Sequence, residues 1–403
     1  MTFPFNIPVP LTKLVDRLEN AGYSAYFVGG CVRDTLLGKT PHDYDIASSA
    51  RPEEAMDLFK DLAVIPTGLK HGTVTVLQEG YSVELTTYRK DGVYTDFRHP
   101  DEVVFSNSIE EDTARRDFTV NALCYNPRTG VLDFHGGLDD LKAGVIRCVG
   151  IPTERFNEDA LRILRALRFA ARLGFSIEQS TALAVCAQKE LIKNIAAERV
   201  LSELKGFFSA KGAAPLARLF LPVLCTAVGV DCPIEQEPLL KGIEQLDGAY
   251  RFPFFAAFLG KDRKGAKSLI IRLKSDTETV LQVASAAEAM YGSCFENGVD
   301  VAYTARRHGL QNARLMYAVS VVQGKPLCFD VLTRLDLLEK GVLPLELNEL
   351  ALNGNDIKAL GVDKGKDIGV VLEHLYRLAQ EGIQNTKEAL TEEAIKFING
   401  LKS

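Results

Sequence analysis

Two aspartates one residue apart, in His42-Asp43-Tyr44-Asp45-Ile46, are the groups in this 403-residue sequence best suited to bind a metal ion. On a β-strand, side chains at i and i+2 share a face, so Asp43 and Asp45 project together while Tyr44 and Ile46 point the other way. Side by side, the carboxylates repel unless a cation lies between them. Their hard oxygens suit Mg²⁺, which completes its shell with water and phosphate oxygens. Glu84 in YSVELTTY shares a face with Ser82 and Thr86 and offers a third carboxylate, with Val83 and Leu85 packed into the core. Three such groups on adjacent strands could hold two metals that activate an attacking hydroxyl and neutralise departing phosphates. Asp-x-Asp also occurs in ordinary surface turns, and Pro41 supplies a turn just before it.

A glycine turn lies upstream. SAYFVGG reads as a strand ending at Gly29-Gly30, and CVRDTLLGK as the helix that follows, with Arg33 in its first turn. N–H groups at a helix N-terminus, uncovered by glycine, form an anion site, and Arg33 adds a charge-assisted contact to a phosphate. A glycine pair alone often serves only packing; its place shortly before the acid pair links it to phosphate chemistry. Farther on, NEDALRILRALRF carries Asp159 and Arg162 at i and i+3, neighbours on one helical face. Arg165 and Arg168 continue the three-residue step, while Leu161, Ile163, Leu164, Leu167 and Phe169 fit a helix packed on its other side. The segment also reads as a solvated basic helix whose Glu158-Asp159 start is favoured by the helix dipole.

These residues need elements to hold them. Residues 1–150 alternate short β-like runs with turns, and HGTVTVLQ and YSVELTTY flank Glu79-Gly80 as a hairpin. Beyond about residue 152 the apolar spacing becomes helical, with Gly174 as a helix C-cap. Breaks fall near Cys232-Pro233, Gly292, Gly324-Lys325-Pro326 and Gly341–Pro344. The fold class is α+β: a head with a small β-sheet followed by helices.

Hydrophobic residues make up 46% of the chain and charged ones 25%, an ordinary globular composition. MTFPFNIPVPLTKLVDRLEN lacks the pattern of a secretory signal, and no apolar run approaches the roughly 18 residues of a membrane span. The eight scattered cysteines, with no CxxC pair, read as reduced thiols of a cytoplasmic core. A formal net charge of −6 argues against bulk nucleic-acid binding, so any RNA contact rests on local patches. Candidates are Lys261-Asp262-Arg263-Lys264 with Lys267, Arg272 and Lys274, then Arg306-Arg307-His308, then Lys364-Gly365-Lys366. Each also reads as a solvated face.

In order along the chain, GGCVRDTLLG, HDYDIAS, EEDTARRDFTVNAL, GGLDDLKAGVIR, NEDALRILRALRFAARLGF and AAERVLSEL resemble the class II tRNA nucleotidyltransferases, or CCA-adding enzymes. They resemble equally the related bacterial poly(A) polymerases of the DNA polymerase β-like superfamily. The tail segment LNGNDIKALGVDKGKDIGVVLEHL is similar to that of bacterial CCA-adding enzymes. The resemblance implies a catalytic head over residues 1–150, a helical neck with the base pocket over 151–210, a helical body over 211–340 and a tRNA-contacting tail over 341–403. It makes Asp43 and Asp45 the ligands of two Mg²⁺ ions and Gly29-Gly30 and Arg33 contacts to the incoming nucleotide. Arg116 lies beside them and Asp117 recognises the ribose 2′-OH; without the resemblance, Arg115-Arg116-Asp117 reads as a solvated charge cluster.

The resemblance also assigns Asp159 and Arg162 to base selection, with Arg165 and Arg168 serving the nucleotide and its phosphates. A carboxylate accepts from the exocyclic amine of cytosine or adenine, and a guanidinium donates to the acceptor beside it. Uracil and guanine present the reverse pattern and leave buried groups unpaired, at roughly 1–3 kcal/mol each. The implied activity is template-independent addition of CCA to the 3′ end of tRNA, engaging its acceptor arm, from CTP and ATP with release of pyrophosphate. A-adding, CC-adding and poly(A)-polymerising activities are the nearest alternatives, and an inactive RNA-binding protein a remote one. KDGVYTDFRHPDEVVF, with His99 where arginine is expected, is similar to the flexible loop of enzymes that add the final A. AAERVLSEL, with Glu198, Arg199 and Glu203, is similar to the helix that buttresses the pocket. No His-Asp hydrolase pattern marks an appended phosphatase, no DNA or membrane partner is expected, and the oligomeric state stays open.

Overall fold

The computed structural model describes residues 5, 7–90 and 104–402. The segment resembling the flexible loop, including His99, therefore lies almost wholly outside the described residues. The chain forms two compact units, Met1–Cys232 and Pro233–Ser403, dividing at the Cys232-Pro233 break.

The first unit opens with α1 (Val9–Asn20), whose Leu11, Leu14, Val15 and Leu18 form one buried stripe at helical spacing. Then follow β1 (Ala25–Val28), α2 (Gly30–Leu36), β2 (Tyr44–Ser48), α3 (Pro52–Leu58), β3 (Ala63–Gly68), β4 (Thr73–Gln78) and β5 (Tyr81–Thr87). β6 (Arg89–Lys90) pairs antiparallel with β7 (Val104–Phe105), and α4 (Ile109–Ala114), β8 (Cys124–Asn126) and β9 (Gly130–Leu132) come next. Among the described residues these strands build a seven-stranded sheet in the order β3-β4-β5-β2-β1-β8-β9. Its one parallel pair is β2 with β5; the other neighbours run antiparallel.

Alternation puts Val74, Val76, Val83 and Leu85 in the core, and Val28, Ala47, Tyr88 and Cys124 meet in one buried cluster. The hairpin closes as the sequence suggests, Gln78 facing Tyr81, with Glu79 at φ +46° and Gly80 at φ +85°. Two successive positive φ values are those of the tight turn that matches strand twist.

Beyond the sheet run α5 (Gly137–Ala143), β10 (Val145–Ile146), α6 (Pro152–Glu158), α7 (Leu161–Leu173), β11 (Ser176–Ile177), α8 (Gln179–Ala187), α9 (Ala197–Phe208) and α10 (Ala213–Ala227). Gly174 ends α7 in the left-handed conformation. Helix is not continuous in this half: β11 pairs parallel with β10, tying the helical segment to the head by backbone hydrogen bonds. One expected helix is two. NEDALRILRALRF breaks at Asp159, whose backbone is extended (φ −139°, ψ 102°) and whose carboxylate accepts the Leu161 N–H at 3.0 Å. Asp side chains compete in this way for backbone groups at helix ends.

In the second unit, α11 (Glu237–Gln245) leads to α12 (Gly248–Gly260), which buries Phe252, Phe254, Phe255 and Leu259 among α13 (Arg263–Arg272), α14 (Thr277–Tyr291) and α16 (Leu310–Val322). α15 (Gly298–His308) packs on α17 (Val331–Glu339) and on α19 (Gly365–Glu381), beyond α18 (Gly354–Ala359). The last helix, α20 (Lys387–Lys402), lies on α19 with the His374 and Phe397 rings stacked 3.9 Å apart. Among the described residues no helix is long and apolar enough to cross a membrane. Cys31, Cys124, Cys148 and Cys225 are buried as expected, but Cys186 is exposed on α8.

Because no atom lies within 4 Å of a Cβ added at Gly80, its substitution costs only backbone strain. Gly80→Ala is expected to lower unfolding free energy by about 1 kcal/mol, read from the urea midpoint at constant m-value.

Candidate active site

Strand register brings the acidic residues together. Val28 of β1 faces Asp45 of β2, and Asp45 is in register with Glu84 of β5. Tyr44 and Ile46 are buried on the opposite face, Tyr44 edge-on to Phe27 and Tyr81, so the alternation aims Asp45 outward. Asp43 is exposed just before the strand. Burial, then Glu84, pushes the Asp45 carboxyl up to about 6, with Arg116 opposing and Asp43 adding. A carboxylate crowded in this way is relieved by a cation, and an all-oxygen donor set fits a hard divalent ion. Among the described residues no three His, Cys, Asp or Glu side chains converge tightly enough to hold one unaided. Glu84 thus stands beside the pair rather than closing a three-ligand cluster, and further ligand positions fall to water and phosphate oxygens, as Mg²⁺ prefers.

The wall facing the acids is cationic. Gly29 (φ +73°) takes a backbone conformation that side chains avoid, and a Cβ there would stand 3.1 Å from Arg116 Nη1. Arg33, only 3% exposed, donates to Asn121 Oδ1 at 2.6 Å and to Asp34 at 2.8 Å. Asp112, fully buried on α4, accepts from Arg115 at 2.6 Å and from Arg116 at 3.1 Å. Burial pushes the Asp112 carboxyl up, but Arg116 and Arg115 outweigh it and hold it below the usual carboxylate range. Asp117 is likewise held low against its burial, mainly by Arg165. It accepts from Phe118 N–H, Asn121 Nδ2 and Arg165 Nε at 2.8, 3.0 and 2.8 Å, and Arg165 Nη2 stands 2.7 Å from Oδ2 in the same ion pair. Those three bonds fix the direction of the carboxylate and leave it acceptor capacity for a further donor.

Asp159 and Arg162 both face the cleft but share no helical face, since Asp159 sits in the break between α6 and α7. Arg162 donates to Glu158 at 2.6 Å and to the carbonyls of Arg155 and Arg115 at 3.0 and 2.9 Å. Asp159 is held by Arg199 of α9 at 3.4 Å. The same helix sends Glu203 to Arg168 at 2.5 Å and to Arg165 at 3.9 Å, which suits the buttress expected of AAERVLSEL. Phe169 lies beneath three guanidinium groups, those of Arg168, Arg165 and Arg33 at 4.3, 5.1 and 5.4 Å from its ring centroid. All of the predicted site residues line one cleft of about 750 Å³ within the first unit.

Sequence reasoning passed over Asp112, Asn121 and Arg172 of the same region, and set Phe169 on the packed side of the helix, whereas its ring lines the cleft. Asp112 was findable: it precedes Arg115 and Arg116 by three and four residues, the spacing of helical ion pairs. Asn121 bridges Arg33 and Asp117 across 88 and four residues, and no local pattern announces that.

Residues 25–147 match the family described as Poly A polymerase head domain, and residues 174–220 the one described as Probable RNA and SrmB- binding site of polymerase A. A CCA-adding enzyme of Lactiplantibacillus plantarum is 36% identical over 392 residues, 94% of each chain. This chain belongs to the CCA-adding enzyme family. The CCA-adding enzyme of Leuconostoc mesenteroides is 51% identical over 208 residues, 52% of this chain and 51% of that one. Among solved structures, Bacillus stearothermophilus CCA-adding enzyme in complex with CTP has a TM-score of 0.78 at 28% identity, covering 100% of this chain and 99% of that one. The divalent metal used by nucleotidyltransferases of the CCA-adding family agrees with the acidic donor set here.

Away from the cleft, the basic patches of the second unit differ in availability. Arg306 is drawn to Glu346 and Glu373 at 3.3 and 3.6 Å, and Arg307 and Arg263 to Glu288 at 3.4 and 3.9 Å. Lys264, Lys267 and Arg272 on α13, and Lys364 and Lys366 at the start of α19, are exposed.

The raised Asp45 carboxyl has a sign that can be checked. The folded state binds this proton more tightly than the unfolded one, so metal-free stability falls as pH rises from about 4 through 6 and is then level. In chelator, Asp45→Asn should be more stable than the parent at pH 7.5 by about 1–2 kcal/mol, and no more stable at pH 3.5. Urea melts at both pH values decide it; equal stability at pH 7.5 contradicts the assignment.

Proposed function

We propose that this protein adds CCA to the 3′ end of tRNA without a template, using CTP and ATP and releasing pyrophosphate. The observation that carries this is the pairing of acids and arginines in one cleft: Asp45 on the head sheet and Asp43 just before its strand, against Arg162, Arg165 and Arg168 of α7. The acid pair would hold two Mg²⁺ ions, which when bound neutralise charge on the leaving phosphates and make the attacking 3′ hydroxyl more acidic. Glu84 supplies a third negative group beside them.

The chain's own residues do the rest. The Gly29-Gly30 turn lets the nucleotide approach the backbone, and Arg33 and Arg116, each anchored by a carboxylate, face its phosphates. Asp117 fixes Arg165 and accepts from the ribose hydroxyl with its remaining acceptor capacity. Asp159 accepts from the amine of cytosine or adenine, while Arg162, braced by Glu158, donates to the neighbouring acceptor. Uracil and guanine then leave both groups unpaired in a partly buried site. The head, neck, body and tail division at residues 150, 210 and 340 belongs to this reading, as do a cytoplasmic location and exposed basic residues of the second unit as contacts for the tRNA acceptor arm.

Extension of three tRNA substrates, ending before CCA, after C and after CC, tests the reading with each nucleoside triphosphate alone. We expect C on the first two and A on the third; A only, CC only or unlimited A addition identifies the corresponding rival, and no extension refutes enzymatic function. Asp43→Ala should reduce extension at least about 10³-fold while tRNA binding stays within twofold. Activity equal to the parent refutes the metal assignment. Asp159→Ala should narrow the preference for CTP and ATP over UTP and GTP by about tenfold or more, and unchanged selectivity refutes the base-reading role.

A further inference from the structure

Along α7, Arg162, Arg165 and Arg168 each have a carboxylate partner: Glu158 at 2.6 Å, Asp117 at 2.7 Å and Glu203 at 2.5 Å. Arg172, one turn beyond Arg168, lines the same cleft, is exposed, and has neither ion pair nor side-chain hydrogen bond among the described residues. It lies seven residues from Arg165, so the two project from nearly the same side of the helix. Gly174 then closes the helix, which sets Arg172 in the last turn. A cation there is favoured by the helix dipole, but that does not require it to face a cleft already lined by seven other arginines.

The ordering of groups along the helix says what Arg172 would meet. Asp159 and Arg162 stand at its N-terminal end. One helix turn before Arg172, the Phe169 ring gathers Arg168, Arg165 and, from the glycine-turn helix, Arg33. From Arg162 to Arg172 the axis advances about 15 Å, comparable to a nucleotide stretched from base edge to last phosphate. The arginines nearer the base have their charge balanced by the protein. Along α7, among the described residues, Arg172 is the cleft-lining guanidinium without a carboxylate partner, and it is placed to meet the further negative charge at the far end of a triphosphate.

We propose that Arg172 binds the terminal phosphate of the incoming nucleoside triphosphate, and with it the departing pyrophosphate. This rests on the reading of the cleft as the nucleotide site. Because the γ-phosphate is common to CTP and ATP, Arg172 contributes affinity to both and selectivity to neither.

Steady-state extension with CTP varied on tRNA lacking CCA, and with ATP varied on tRNA ending in CC, tests this in the full-length enzyme. Arg172→Ala should raise KM for both nucleotides about tenfold, with kcat and KM for tRNA within twofold and discrimination against UTP and GTP unchanged. Arg172→Lys should recover part of the loss, and direct binding should weaken for ATP but not for AMP. A purely structural role would weaken AMP and ATP alike. That result, an unchanged nucleotide KM, or a rise confined to the KM for tRNA overturns the proposal. Failure of the parent enzyme to extend tRNA would instead overturn the reading of the cleft, so the two failures are distinct.

Discussion

A cleft that receives a polyanion must hold many positive groups close together before the polyanion arrives. Here that constraint is met by setting carboxylates behind or beside the guanidinium groups: Asp34 for Arg33, Asp112 for Arg115 and Arg116, Glu158 for Arg162, Asp117 for Arg165, Glu203 for Arg168. Several of these acids are buried and stay charged because their partners outweigh desolvation, as at Asp112 and Asp117. Each pair fixes a planar fork in a defined direction. Removing one acid would strand a partly buried charge, a costlier event than losing a surface ion pair.

The same arrangement suits the proposal that a protein surface acts in place of a template strand. Base selection needs donors and acceptors that do not rotate to suit the wrong partner. Arg162 is fixed by one carboxylate and two backbone carbonyls, and one of those carbonyls belongs to Arg115, itself bound to Asp112. Arg162 is thereby tied to the segment that carries Arg116, which suits the base-reading role proposed for it. Asp159 is set by different means, an N–H bond to the start of α7 and an arginine from α9.

Much of this was legible in the sequence because it depends on local periodicity. The hairpin at Glu79-Gly80 and the turn at Gly29 are written in adjacent residues and appear in the fold, while of the expected strand pair Asp45 lies on β2 and Asp43 just before it. The break at Asp159 was not foreseen, because arginines and leucines on both sides keep a helical pattern that hides one extended residue. Nor were the Arg33–Asn121 and Arg168–Glu203 contacts, which join residues 88 and 35 positions apart. Local spacing reports which residues share a face; it is silent on which distant carboxylate neutralises which arginine.

The sheet carries one more implication, through its single parallel pairing. Strands that run parallel cannot be joined by a tight turn and need a crossover, and between β2 and β5 that crossover contains α3, β3 and β4. Asp45 and Glu84 therefore meet through a contact of high sequence separation, of the kind that forms slowly. On a growing nascent chain, the strand bearing Asp45 lacks its β5 neighbour until that strand has emerged and docked beside it. The acidic centre is thus complete only once β5 has been made, when the local hairpin of β4 and β5 can already exist.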